Sequence, residues 1–405
     1  MVIRSRQVSI FCLNMVQGMP GSFFGIGLPA LLREGGAGLD MVALAYLVWA
    51  PWALKWLWGP FLDGRPTLFN AVFGRLLHLP LIMASAFVLL VAFPPSGSAW
   101  PIFAVGIVCS FVGSTLQMVL ARWIMAVEPD EKRRARLNAT QVAGMITGAM
   151  VGGTLIVALS NLLSWTLAVL AIGVLIVLAS LPFMLTQREH PSATVLAEHI
   201  PIGTASSIKE ACRCFFERSG VGLLMVLMLM SDVATGVDVL LIALLVDSGY
   251  SAAGATFLLN TLALMITIPA TFLTGQLLQR FEARSVLAVL LGSKGTVFLL
   301  LGVGVFPIPV VSAALSIAAI VIASAAAIAY WQIYMRFATT EHAASDIGML
   351  TSIRTLFLMI GGIGAGQVSG LLGYSGIFSL AAAMALAAAL LAILQGAKER
   401  ETATP

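Results

Sequence analysis

Long apolar runs separated by short polar breaks organise this chain from end to end. A run of at least about 18 apolar residues can cross a bilayer as a helix, and such runs fall at 8–32, 39–62, 70–93, 99–123, 138–160, 164–185, 219–246, 253–278, 285–306, 309–335, 348–371 and 374–396. The opening Met1-Val2-Ile3-Arg4-Ser5-Arg6 lacks a cleavage pattern, and the run after it is too long for a signal peptide, so it is read as the start of a retained first span. The longest polar interval, 186–218, begins near Gln187-Arg188-Glu189-His190-Pro191 and divides the spans six and six. The predicted organisation is an all-α membrane protein of twelve transmembrane helices. Residues 1–185 form one six-helix bundle, 186–218 a linker and 219–405 a second bundle.

An approximate internal repeat supports two related halves. Gly275-Gln276-Leu277-Leu278-Gln279-Arg280 occupies the helix end that corresponds to Gly59-Pro60-Phe61-Leu62-Asp63-Gly64, with Gln279 where the first copy has Asp63. The fifth and eleventh spans carry glycine every fourth residue, at Gly144, Gly148 and Gly152 and at Gly362, Gly366 and Gly370. That spacing lets helix backbones approach closely. Two related six-helix halves around a midplane site is how many secondary transporters are built, with access alternating as the halves rock.

Composition and charge agree with a bilayer. Apolar residues make up 60%, charged residues 10%, and the mean hydropathy is +1.00, which leaves too little polar surface for a soluble protein. Lys and Arg collect in cytoplasmic loops. With the N-terminus inside, the inside loops hold Arg4, Arg6, Arg65, Arg75, the Lys132–Arg136 cluster, Arg188, Lys209, Arg213, Arg218, Arg280, Arg284, Lys398 and Arg400, while the opposite loops hold only Arg33. Both termini are therefore expected in the cytoplasm, and the net charge of +4 reports topology, not nucleic-acid binding. Four cysteines, Cys12, Cys109, Cys212 and Cys214, sit in spans or on the inside and suggest no disulfide framework.

Charge inside the spans is scarce and therefore informative. An ionisable group in lipid is costly and usually faces a cavity or a partner. Lys55, Asp232, Asp238, Lys294 and Arg354 are such groups, with Arg122 and Arg336 near inner helix ends. Asp232 and Asp238 lie in Ser231-Asp232-Val233-Ala234-Thr235-Gly236-Val237-Asp238, a stretch able to loosen the seventh helix. A carboxylate held away from water can load and release a proton near neutral pH, which makes these two the proton-coupling candidates. The alternative is that they neutralise Lys55, Lys294 or Arg354 as fixed pairs. At about 100° per residue, Tyr46, Trp49, Trp52 and Trp56 share an arc of roughly 120° with Lys55 at its edge. Rings beside a cation suit a flat aromatic anion; packing against helices or lipid is the other reading. Gln17, Gln117, Tyr330, Gln332 and Arg354 complete the substrate-binding candidates, with Asn14 and Gln141 as further polar positions. Each also suits a helix-to-helix hydrogen bond.

The ending Gly59-x-x-x-Asp63-x-Arg65 resembles the loop between helices two and three of major facilitator superfamily transporters. There Asp63 would latch onto a neighbouring helix in one conformation, with Arg65, Arg122 and Arg280 as further gating candidates. The plainer alternative is a helix end followed by solvated charges. Gln17-Gly18-Met19-Pro20, Leu28-Pro29-Ala30-Leu31-Leu32-Arg33 and Pro51-Trp52-Ala53-Leu54-Lys55-Trp56-Leu57-Trp58-Gly59-Pro60-Phe61-Leu62-Asp63 resemble the first two helices of the superfamily's AmpG-like branch, most of all the RhtX/FptX siderophore permeases. The match is strong over 15–65 and architectural elsewhere. The glycines at 59 and 64 depart from that group's pattern, which bears on gating more than on cargo. The resemblance implies a bacterial inner-membrane importer that carries a siderophore, as its ferric complex, with protons. The same branch includes muropeptide permeases, which would present more hydrogen-bonding groups to sugars than these spans hold. Export is disfavoured because no proline sits beside the fifth-span glycines.

An enzyme or an ATP-driven pump would need a reacting constellation, and no His-Glu-x-x-His, Gly-x-Ser-x-Gly or Gly-x-x-x-x-Gly-Lys-Ser/Thr occurs. Cys212-x-Cys214 with His190 and His199 fits no standard zinc spacing, so neither cofactor nor resident metal is expected. A sensor or scaffold that has lost transport is a third class, and the retained Lys55, Asp232 and Arg354 speak against it. A monomer is expected, since one chain holds both halves.

Overall fold

The computed structural model describes residues 2–58, 78–127, 131–186, 213, 215–218, 220–304, 308–337 and 343–403. Asp63, Arg65 and nearly all of the 186–218 interval, with His190, His199, Cys212 and Cys214, lie outside these residues. Among the described residues the regular structure is entirely helical, without strands.

Nine helices among the described residues are long and apolar enough to cross a membrane. They account for ten of the twelve expected spans, because Gly348–Gly396 contains two. The helical run Ala343–Ala403 has 61 residues; at 1.5 Å per residue it would measure roughly 90 Å, about three times the hydrocarbon thickness. It breaks at Gly373, where φ is 60° and ψ is −177°, a conformation that requires glycine. The second and third spans are described in part, the third as His78–Ala92.

Several spans are irregular inside the apolar run. The first is Val2–Ser22, a π-helical turn Phe23–Gly27, then Leu28–Glu34. Pro20 removes one backbone donor just before that wide turn, so the ladder is already interrupted there. The fifth and eighth spans carry π-helical turns at Met150–Leu155 and Phe257–Leu262. The seventh divides into Val221–Gly236 and Val239–Asp247, and Val237 and Asp238 donate three residues back, to Ala234 and Thr235. The loosening expected around Gly236 is thus a tightened turn between two helices.

Contacts divide the chain into two units. One comprises Met1–Leu28 and Val48–Ala211, the other Pro29–Leu47 and Cys212–Pro405. In the first unit the fifth span lies directly on the first: a Cβ at Gly144, Gly148 or Gly152 would fall on the carbonyl oxygen of Phe11, Met15 or Met19. The second unit makes the same kind of approach between its seventh and eleventh spans with different glycines. There Gly361 meets the Val233 carbonyl and Gly236 the Leu358 carbonyl. Gly362 meets both the Gly236 carbonyl and the Tyr46 ring, Gly366 faces Ala43 and Leu39, and a Cβ at Gly370 would have no described atom within 4 Å. The short helix Leu39–Ala43 packs on this eleventh span, which explains why Pro29–Leu47 groups with the second unit.

The sixth span, Trp165–Thr186, leaves Leu167, Leu170, Val174, Leu178, Leu181 and Leu185 exposed at spacings of three and four. A continuous apolar stripe of that length has no stable place in water and is a lipid face. The chain is a multi-pass membrane protein.

Candidate functional site

The second span, which belongs to the first unit from Val48 on, is not a uniform α-helix. It runs as 3₁₀ turns over Leu44–Trp49, α-helix over Ala50–Leu54 and 3₁₀ again over Lys55–Leu57. Three residues per turn line up positions at spacing three, so the 100° arc that grouped Trp56 with Trp49 and Trp52 does not hold along its length. Lys55 takes that place. Its Nζ stands 5.2 Å from the Trp52 ring centroid and donates to Gln117 Oε1 at 3.3 Å. Trp49 and Trp52 lie 6.1 Å apart at 55°.

The first span makes room for these rings. Trp49 covers Gly25, where a Cβ would come within 3.3 Å of the indole, and also reaches Gly21. Gln17 precedes Gly21 by one turn on the same helix; it is buried, and neither its amide oxygen nor its amide nitrogen has a partner among the described residues. Asn14 is satisfied locally by the Ile10 carbonyl. The Gln141 amide nitrogen is also unpartnered.

In the second unit two buried ion pairs lie together. Arg354 Nε donates to Asp232 Oδ1 at 3.1 Å, and Lys294 Nζ to Asp238 Oδ2 at 2.7 Å. Their side chains are 20% and 2% exposed in the first pair and 1% and 7% in the second, so the arginine is the most exposed of the four. Asp232 Oδ2 and Asp238 Oδ1 have no hydrogen-bond partner among the described residues. Lys294 also interacts electrostatically with Asp232 and Arg354, which couples the pairs into one cluster. Tyr330 packs on it, with its ring 5.5 Å from the Arg354 guanidinium and its hydroxyl bonded to Ser231. Tyr334 packs 5.8 Å from Tyr330 and keeps an unpartnered hydroxyl. Tyr46 lies against Gly362 and within electrostatic reach of Asp238.

Two of the remaining candidates sit elsewhere. Gln332 is exposed, because two residues along an α-helix from Tyr330 is nearly the opposite face. Arg280 is exposed at the last turn of the eighth span, where a cation complements the helix C-terminus. The side chain of Arg122 is outside the described set.

Sequence reasoning missed a cluster at the end of the first span. Arg33 grips Asp247 with two bonds, Nε to Oδ1 at 2.7 Å and Nη2 to Oδ2 at 2.6 Å, and Tyr374 donates to the same Oδ2 at 2.7 Å. Glu34 accepts from the Ala252 amide at 2.9 Å. Gly36, Gly249 and Gly373, at φ of 85°, 99° and 60°, turn the chain beside each member. The only signal was that Arg33 stood alone among the opposite loops. A second missed cluster joins Arg218 to Asp346 at 2.6 Å and to the Phe337 carbonyl at 3.0 Å.

A bilayer-spanning helical chain with buried, partly unsatisfied charge inside its spans has the frame of a secondary transporter. Residues 10–363 match the Major Facilitator Superfamily, and the chain belongs to that family. Its fold is that of the superfamily's transporters. The chain superposes on the nucleoside transporter NupG with a TM-score of 0.72, over 96% of this chain and 99% of that one, at 13% identity. It superposes on the peptide transporter POT in complex with sulfate with a TM-score of 0.73, over 97% and 94%, also at 13%. These likenesses concern the fold alone. The chain is 24% identical over 310 residues to the anhydromuropeptide permease of Escherichia coli (strain K12), which covers 74% of this chain. It spans 61% of that relative's length.

Proposed function

We propose that the protein imports an anionic, aryl-bearing siderophore, as its ferric complex, across the bacterial inner membrane by proton-coupled alternating access. The observation that carries this reading is the Trp49, Trp52, Lys55 and Gln117 group, in which a cation stands over an indole beside a hydrogen-bonding amide. Rings stack on such a surface while the ammonium takes a carboxylate or phenolate. Gln17 adds an unsatisfied amide among the described residues. Within the second unit, Arg354 beside the Tyr330 ring is an anion-binding candidate of its own. Asp232 and Asp238 are the proton carriers. Residues 1–185 and 219–405 are the two moving halves of a monomer, joined by 186–218, with both termini in the cytoplasm. Asp63, Arg65, Arg122 and Arg280 gate the cytoplasmic ends.

A second reading, a muropeptide permease, is favoured by the similarity to the Escherichia coli anhydromuropeptide permease. Uptake of radio-iron-labelled ferric siderophores into proteoliposomes, with a labelled muropeptide run in parallel, separates the two. Iron accumulation alone is the expected outcome. Muropeptide accumulation alone would assign the second reading, and accumulation of neither would remove both cargoes.

A further inference from the structure

Gln17 is the one side chain among the described residues whose buried donor and buried acceptor both lack a partner. It is 6% exposed, so bulk water does not make up the loss. A buried amide left unpaired costs stability on both its atoms. An ordered water would itself need about two to four polar partners. The adjacent turns of the helix offer Leu13, Gly21 and an Asn14 already engaged with the Ile10 carbonyl.

The same amide lies at the depth of the Trp49–Lys55 group. Gly21, one turn along the first span, is covered by Trp49, whose ring would stand 3.7 Å from a Cβ there. Within this unit the fourth span runs antiparallel to the first: Ile10 and Leu13 share a core cluster with Leu120 and Ile124, and Phe24 packs against Gly106. Between those two pairings, Gly113 to Gln117 falls at the level of Gln17. Gly113 is the glycine that Trp52 reaches, and Gln117 is the residue that accepts from Lys55. The first unit thus places two indoles, an ammonium and an open carboxamide at one depth.

A carboxamide presents an acceptor oxygen and a donor nitrogen side by side. Its complement is a carbonyl next to an N–H or O–H, as in a carboxamide, a lactam or a hydroxamic acid; an ester supplies only the carbonyl. We infer that Gln17 is a subsite for an uncharged amide-type group of the cargo, carried next to the aryl ring that Trp49 and Trp52 take. This rests on the reading of the Trp49–Lys55 group as the cargo site and adds the chemistry of the linkage. No covalent bond changes. The cargo gives up water as it enters, and both atoms of Gln17 are satisfied only while it is bound. Such a site rejects an analogue lacking the hydrogen bond, because the mismatch leaves buried atoms unpaired.

Salicylamide and methyl salicylate share a ring, a phenol and a carbonyl, and differ in the amide nitrogen that the ester replaces with oxygen. Equilibrium binding to the purified protein in lipid is expected to favour salicylamide by about tenfold. Gln17→Leu is expected to bring the ratio to about one by weakening the amide alone. Melting temperature gives a readout that needs no ligand. Gln17→Leu is expected to raise it, because leucine fills the space without unpaired atoms, whereas loss of a glutamine held by another helix would lower it. A wild-type ratio near one, no binding of either probe, a preference that survives Gln17→Leu, or a lower melting temperature overturns the inference. Lys55→Ala tests the cargo site separately: it is expected to weaken both probes equally and leave their ratio unchanged. Affinities that ignore Lys55→Ala would take the cation out of the site, while an intact preference for the amide would still support Gln17.

Discussion

Lys55 uses one donor on Gln117 and has no other hydrogen-bond partner among the described residues, so it retains capacity for a cargo oxygen. Removing a charge-assisted contact costs about 1.5–3 kcal/mol, roughly a 10- to 100-fold loss of affinity. Lys55→Ala is expected to weaken binding of an anionic ferric siderophore by that factor in an equilibrium assay, and unchanged affinity would take Lys55 out of the site. Gln332→Ala serves as its counterpart, because an exposed residue on the far face should leave affinity within about twofold. Lys55 was legible because a single lysine interrupts an apolar run, and Asp232 and Arg354 because so few charges lie in the spans. Gln332 is exposed on the side away from Tyr330, a direction that polarity alone does not report. The pairing of Arg33 with Asp247, 214 residues apart, has no local signature in one sequence.

Glycines govern how the spans approach each other. At Gly148 a side chain would strike the Met15 backbone, which has no flexible end to yield, whereas Gly370 faces open space. Overpacking of this kind costs about 1–3 kcal/mol or more. Gly148→Leu is therefore expected to lower the melting temperature and folded yield of the solubilised protein, while Gly370→Ala leaves both unchanged or slightly raised, since alanine favours helix by about 1 kcal/mol. Equal losses in both variants would count against the packing described. Span positions were readable from apolar runs alone, and the break at Gly373 fell between the last two of them. The 3₁₀ turns of the second span and the π-helical turns of the first, fifth and eighth were not, because an apolar run looks the same at 3.0, 3.6 or 4.4 residues per turn. The glycine triplets showed that close packing occurs; the first names its contacting residues throughout, while in the second only Gly362 joins Gly361 and Gly236 in the equivalent approach.

Across the whole molecule, the family assignment rests on 10–363 and the fold on solved transporters, while cargo is a matter of chemistry at a few side chains. The least legible feature at this scale is that Pro29–Leu47 groups with the second unit, because it depends on tertiary contacts from Arg33, Glu34 and Leu39–Ala43. Asp247→Asn weakens the paired hydrogen bonds from Arg33 and removes the charge that also accepts from Tyr374. Backbone amides of 37–47 are expected to exchange hydrogen faster in that variant, with the rest of the second unit unaffected; unchanged protection would mean that Leu39–Ala43 packing alone holds the segment. Transport against a gradient is the property that joins the charged cluster to the fold, and proteoliposomes with an imposed inward proton gradient measure it directly. Wild-type protein is expected to accumulate labelled ferric siderophore only while the gradient lasts, and Asp232→Asn to exchange cargo across the membrane without accumulating it. Equal accumulation with and without the gradient, or full accumulation by Asp232→Asn, would contradict the account.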